Sequence, residues 1–236
     1  MFTDRPLAVF DVDGTLVDSR ETIHRAAIEA ADAAGLDPPD YDSVRQIVGL
    51  SLAEGLRHLA PEITDAEFAE FVSGFQESFR RMHLDHNFTE PLYAGAVDLL
   101  NKLKADGWRL ALATGNSRRG VDRLLDRHGW GDLFDATRCA DDGPGKPHPS
   151  MLLQAMKAAH TRPERAVMIG DTSHDMRMAI AAGAYPQGVA WGFHTAEEVA
   201  ASGAAHVART FAELADELDR FAARGSAARR GVGETD

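Results

Sequence analysis

Residues 7–15 read Leu-Ala-Val-Phe-Asp-Val-Asp-Gly-Thr, an apolar run that ends in two aspartates and a glycine. A short apolar run closed by turn residues is the mark of a buried strand, here with its carboxyl end at Asp11. Side chains alternate across a strand, so Asp11 and Asp13 can project the same way while Val12 packs into the core. Gly14 lets the chain turn sharply out of the sheet. Two carboxylates held so close repel unless a cation lies between them or one takes up a proton. Standing alone, the stretch reads equally well as a solvated Asp-Gly turn. An EF-hand loop is excluded, because the glycine falls at the fourth position rather than the sixth.

Working outward, further apolar runs occupy residues 108–114, 166–170 and 187–191, with 134–139 a weaker one. Helix-period stretches separate them at 94–106, 117–128, 150–160, 173–183 and 210–224. Strands alternating with helices of about 10–15 residues predict an α/β fold, a Rossmann-like parallel sheet with helices on both faces. Such sheets bind ligands at the carboxyl ends of their strands. Between residues 17 and 90 the pattern changes to helix-period stretches alone, at 21–34, 41–48, 52–59 and 65–82, punctuated by Gly35, Pro38, Pro39, Pro61 and Pro91. That length exceeds one crossover. It predicts a helical domain over 17–90, inserted into a core of residues 1–16 and 91–224. Residues 225–236 lack apolar periodicity and read as a disordered tail.

The 236 residues carry 25 Lys and Arg against 37 Asp and Glu, a formal charge of 25 − 37 = −12. That balance argues against a nucleic-acid partner, which needs a basic face, and against a polybasic membrane anchor. No apolar run approaches the roughly 18 residues of a membrane span. The N-terminus lacks the pattern of a secretory signal, and Cys139 is the sole cysteine. A cytoplasmic protein is the expectation. The sequence carries no signal of oligomeric state.

Three more clusters fall at strand ends. Thr114-Gly115-Asn116 offers a hydroxyl and turn-exposed N–H groups to an anion, although it also fits a strand-to-helix turn capped by Asn116 or Ser117. Lys146 lies in Gly-Pro-Gly-Lys-Pro-His-Pro (143–149), one of four lysines in a chain with 21 arginines. A stiff loop can hold such a compact charge in place, and Pro147 and Pro149 then begin a helix. In Gly170-Asp171-Thr172-Ser173-His174-Asp175 two acids flank a turn and can face one another if a helix begins between them. Asp171 or Ser173 could equally cap that helix.

Taken together, these motifs resemble those of the haloacid dehalogenase-like hydrolase superfamily. DVDGT, the Thr of ATGN, the Lys of GKPHP and GDTSHD stand in the family's order, and the helical insert looks like the cap of one subclass. DVDGTLVDS, VGLSLAEGL and GVAWGFHTAEEVAASGAAHV look most like phosphoglycolate phosphatases and their near relatives. The resemblance implies a Mg²⁺-dependent phosphatase acting on a small phosphorylated metabolite. Asp11 would be the nucleophile, and Asp13 the general acid and base. Asp11, Asp171 and the Asp13 carbonyl would hold the metal; Thr114, Gly115, Asn116 and Lys146 would hold the phosphoryl group. Asp175 would orient Lys146 or a metal-bound water. A pyrophosphatase or nucleotidase is the alternative, ahead of a sugar-phosphate mutase and a phospho-acceptor module. Asp13 argues against a dehalogenase, and the absence of any lysine before Lys102 against a Schiff-base phosphonatase. Thr15 fits a hydrolase, and the mutase histidine would fall at Ile23, one position before His24.

Several other residues carry weaker signals. His83 and His86 form a histidine pair without a third metal ligand. His174 lies between the motif acids, and His194 stands in a loop that could approach the cap. Phe68, Phe71, Phe75 and Phe79 recur at helical spacing and predict a buried face. Arg45 and Arg57 have the planar fork that suits a substrate carboxylate, though solvated arginines are commoner.

Overall fold

The apolar run that opens the sequence becomes β1 (Leu7–Phe10), a central strand of a six-stranded sheet, in a computed structural model that describes residues 5–85 and 88–230. The other strands are β2 (Arg109–Ala113), β3 (Ala136–Arg138), β4 (Ala166–Gly170), β5 (Tyr185–Val189) and β6 (His206–Ala208). They run parallel in the order β3-β2-β1-β4-β5-β6, with Phe10 opposite both Leu112 and Ile169. The chain builds outward from β1 to β3, then returns to β1's other side with β4. The loops leaving β1 and β4 therefore border a crevice at the topological switch point, where open α/β sheets bind ligands.

Alternation along the strands gives the sheet two apolar faces. Ala8, Phe10, Leu110, Leu112, Val167 and Ile169 pack against α5 (Ala96–Ala105), α6 (Arg118–His128) and α10 (Phe211–Arg230). Leu7, Val9, Ala111, Ala113 and Met168 pack against α7 (Ser150–Ala158) and α8 (Ser173–Ala182). Fully apolar strands are expected of a parallel sheet covered on both sides.

Four helices lie between β1 and α5: α1 (Arg20–Ala33), α2 (Tyr41–Ile47), α3 (Leu52–Leu59) and α4 (Asp65–Leu84). They bury a small core of their own around Ala30, Ala31, Leu56 and Phe71. Thr64 and Glu67 form a reciprocal capping box that starts α4.

Three local expectations needed correction. The three-residue strand β6 and the short α9 (Ala196–Ala201) gave no distinct pattern in the sequence. β5 begins at Tyr185, two residues before the expected strand; Pro186 stays in the sheet by accepting a bond from the Ala205 N–H at 2.8 Å. Helix α10 continues to Arg230, into the stretch read as a tail, because alanine and arginine favour helix without needing a buried face. Residues 231–236 lie outside the described residues. Among those described, no helix is long and apolar enough to cross a membrane.

Candidate active site

Four segments that are far apart in sequence deliver polar groups to the crevice, three of them charged. Asp11 follows β1 and is fixed by its own N–H, which donates to the Ile169 carbonyl at 2.9 Å. Gly14 turns the chain with φ +79°, and a Cβ there would overlap the Asp171 carboxylate. That carboxylate, at the end of β4, accepts from the Thr15 hydroxyl at 2.8 Å and the Phe193 N–H at 2.7 Å. Gly192 is required as well, since a Cβ on it would also strike Asp171.

The next turn corrects a sequence expectation. Thr172, rather than Asp171 or Ser173, caps α8 in a reciprocal box with Asp175. Asp175 Oδ2 accepts from the Thr172 N–H at 3.1 Å and its hydroxyl at 2.7 Å. The other oxygen of Asp175 is thereby free to face Lys146 Nζ at 2.7 Å, and Asp11 Oδ1 lies 2.8 Å from the same ammonium. One carboxylate thus serves as both helix cap and ion-pair partner, roles that looked like alternatives in the sequence.

Asp11, Lys146, Asp171 and Asp175 are all fully buried. Burial pushes the Asp11 carboxyl well up, Lys146 opposes that rise, and Asp175 and Asp171 add to it. Burial and the neighbouring Asp175 likewise raise Asp171. For Lys146 burial acts downward, but Asp11 and Asp175 outweigh it and hold the ammonium above its ordinary value. One cation thus faces three buried acids. Oxygen atoms of Asp11, Asp171 and Asp175 lie within 4.8 Å of one another, and Asp11 Oδ2 is buried without a hydrogen-bond donor. Hard oxygen donors in this arrangement, with an uncompensated negative charge, fit a small divalent cation such as Mg²⁺.

The remaining expected residues stand beside this cluster. Asp13 is half-buried, its Oδ2 accepting from the Asn116 amide at 2.7 Å. Burial first, and then the charge of Glu90, push its pKa up to about 6. Thr114 is buried at the end of β2, where its hydroxyl accepts from the Asn116 N–H at 3.1 Å. Ser117 caps α6. A Cβ on Gly115 would run into the carbonyls of Leu50 and Gly49, so the four-helix insert approaches the core closely there. Between the two bodies lies a cavity of about 720 Å³ that reaches Asp11, Asp13, Gly115 and Asn116. Leu50, Leu52, Val72, Phe75 and Phe79 wall it on the insert side.

That wall revises the reading of the phenylalanines: Phe71 is buried in the insert, whereas Phe75 and Phe79 line the cavity. Neither candidate cap arginine lines it. Arg45 forks onto Glu198 at 2.7 and 3.2 Å, and Arg57 stacks over Phe68 and bonds Ile63 and Asp65. His174 Nε2 lies 3.0 Å from the Gln46 carbonyl of the insert, and His194 Nδ1 accepts from the Ser173 N–H. His24 contacts the Pro39 carbonyl, and His83 contacts Glu90 at 3.3 Å. His86 lies outside the described residues. Glu198, Gln46, Arg119 and Arg123 belong to the surroundings of the site and were not singled out from the sequence. Only the Arg-Arg pair at 118–119, directly after the Thr114 turn, could have signalled the last two.

Comparison with known proteins agrees with this geometry. The sequence profile of the haloacid dehalogenase-like hydrolase family matches residues 8–189. "Probable phosphatase IndB" of Dickeya dadantii is 34% identical over 212 residues, covering 89% of this chain and 92% of that protein. Phosphoglycolate phosphatase 1 of Pseudomonas aeruginosa is 34% identical over 205 residues, covering 82% and 72%. A hydrolase from Pseudomonas syringae of known crystal structure superposes with a TM-score of 0.80 at 26% identity, over 92% of this chain and 99% of that one.

Proposed function

This chain belongs to the haloacid dehalogenase-like hydrolase family and is an enzyme of the phosphatase kind, and from that premise we propose that it hydrolyses a small phosphomonoester through a phosphorylated Asp11, with Mg²⁺ as cofactor. The observation that carries the reading is the buried ion pair of Asp11 and Lys146 at the switch-point crevice, with Asp11 Oδ2 lacking any hydrogen-bond donor. A nucleophile must be desolvated and yet kept charged; burial does the first and the ammonium beside it the second.

In this reading Asp11 attacks phosphorus and the bond to the ester oxygen breaks. Asp13, whose carboxyl is raised toward neutrality, donates the proton that the departing alcohol needs. It then takes a proton from the water that attacks the phosphorylated Asp11, so that phosphate leaves and both carboxyls return to their starting state. Lys146, the Thr114 hydroxyl and the backbone around Gly115 and Asn116 stabilise the charge spread over the transferring oxygens. Asp175 keeps Lys146 aimed at the site. Asp11, Asp171 and the Asp13 carbonyl would hold Mg²⁺, which when bound offsets the repulsion between an anionic nucleophile and an anionic substrate. The four-helix insert acts as a cap that roofs the cavity and limits access of bulk water. The substrate is a small phosphorylated metabolite of the cytoplasm.

The test is phosphate release from a panel of sugar phosphates, phosphorylated acids, nucleotides and pyrophosphate. Activity should require Mg²⁺, vanish with a chelator and return on adding the metal. Asp11→Asn should lower kcat by at least about 1,000-fold, because the amide is no nucleophile. Failure to cleave any monoester, or an active Asp11→Asn variant, overturns the reading.

A further inference from the structure

Helix α6 carries Arg119, Arg123 and Arg127 at intervals of four, which places them on one stripe of the helix. Among the described residues, none of the three holds a carboxylate within ion-pair distance or makes a side-chain hydrogen bond. Other arginines of this acidic chain do: Arg20 holds Asp18, Arg45 holds Glu198, Arg80 holds Glu77 and Arg118 holds Asp142. Acids are available nearby, since Asp122 and Asp126 border the same groove as the stripe. They leave it unpaired. Like charges four residues apart oppose helix formation, and the half-buried Arg123 guanidinium is disfavoured by burial and by both neighbours.

Two of these arginines face the candidate site. Arg119 and Arg123 line the 720 Å³ cavity that also reaches Asp11 and Asn116. Arg123 additionally borders a neighbouring small cavity of about 40 Å³ shared with Asp13, Asn116 and Glu90. The cavity's volume falls in the range that encloses a drug-sized molecule, far more than a two-carbon acid would fill. Its walls combine apolar side chains and the Glu77–Arg80 pair on the insert with Asp141 and the two unpaired guanidinium groups on the core.

We propose that Arg119 and Arg123 determine specificity by binding an anionic group at the far end of the leaving alcohol, so that the preferred substrates are phosphate esters longer than two carbons with a second negative charge. This rests on the phosphatase reading above. The phosphoryl group sits at Asp11, the body of the alcohol lies against Leu50, Val72 and Phe75, and its terminal anion meets the arginine stripe. Arg45 and Arg57 are engaged elsewhere and take no part.

The experiment uses phosphate esters of ω-hydroxy acids of two to eight carbons, each compared with its primary amide, which matches it in shape but lacks the charge. For the wild-type protein, the acid-to-amide ratio of kcat/KM should rise beyond two carbons to about tenfold or more, the worth of one charge-assisted hydrogen bond. Arg123→Met and Arg119→Met should each lower that ratio, and the double variant should bring it near one. Arg123→Lys should keep part of it. Because each ratio is internal to one protein, a general loss of activity does not imitate the result, and Arg119, being exposed, gives a variant that folds. A ratio near one at every length, or one untouched by the substitutions, overturns the inference while the amides are still cleaved. If neither series is cleaved while another monoester is, this inference fails alone; if no monoester is cleaved, the phosphatase reading fails and this inference with it.

Discussion

Two groups of charges tie distant segments of this chain together, and their surroundings give them different weight. Around Lys146, the ammonium and the carboxylates of Asp11 and Asp175 have no solvent exposure. At the seam between insert and core, Arg45 and Glu198 keep 17% and 35% of their side-chain surface, and Gln46 adds a bond to Glu198 at 2.9 Å. Water screens the second group, so each member can be lost cheaply. Nothing screens the first, and removing one member strands the others in a low-dielectric interior. The difference separates contacts the fold cannot lose from contacts it can lose at small cost.

The sharpest way to break this comparison is Lys146→Met. It should lower kcat by at least about 1,000-fold and destabilise the protein by about 3–5 kcal/mol in urea denaturation, the usual result of uncovering a buried charge. A loss below about 1 kcal/mol would place the cluster in the same class as the seam. Gly192→Ala comes next. Its methyl group would displace Asp171, and a misplacement on the order of 1 Å costs about 100-fold in rate. Steady-state kinetics across a Mg²⁺ titration should show both a lower kcat and a higher metal requirement.

Arg45→Ala should do least, about 0.5–1 kcal/mol of stability. Its pH dependence is diagnostic. Arg45 foremost holds the Glu198 carboxyl at about 2, below its ordinary value of 4.5. A native value below the unfolded one means that the pair contributes fully above pH 4.5 and loses that contribution as the pH falls toward 2. Denaturation at pH 6 and pH 3 should therefore show the gap between wild type and Arg45→Ala narrowing in acid. A gap that widens would reverse the assignment.

Much of the core architecture was legible because its signals are local. The run ending in Asp11, the two-face burial of its neighbours and the turn residues after the strands depend on positions only a few residues apart. The same holds for the long helices between Arg20 and Leu84. β6 escaped because three residues leave no period to read, and the end of α10 escaped because a helix of alanine and arginine needs no apolar stripe. At the candidate site the residue types and their placement at strand ends were readable, but not their partners. Asp175 illustrates this, since only the fold shows its two oxygens divided between Thr172 and Lys146.

The sequence by itself determined the parallel sheet, the helical insert and the collection of acids, hydroxyl and lysine at strand ends, because periodicity and turn chemistry act along the chain. Tertiary structure alone decided which charges meet. Arg45 and Glu198 are 153 residues apart, and whether Arg45 greets a substrate or a glutamate depends on how the insert is rotated over the core. The same rotation turns Phe75 and Phe79 toward the cavity and sets them across from Arg119 and Arg123. Coulombic and packing energies depend on distance in space and on solvent exposure, neither of which is encoded locally.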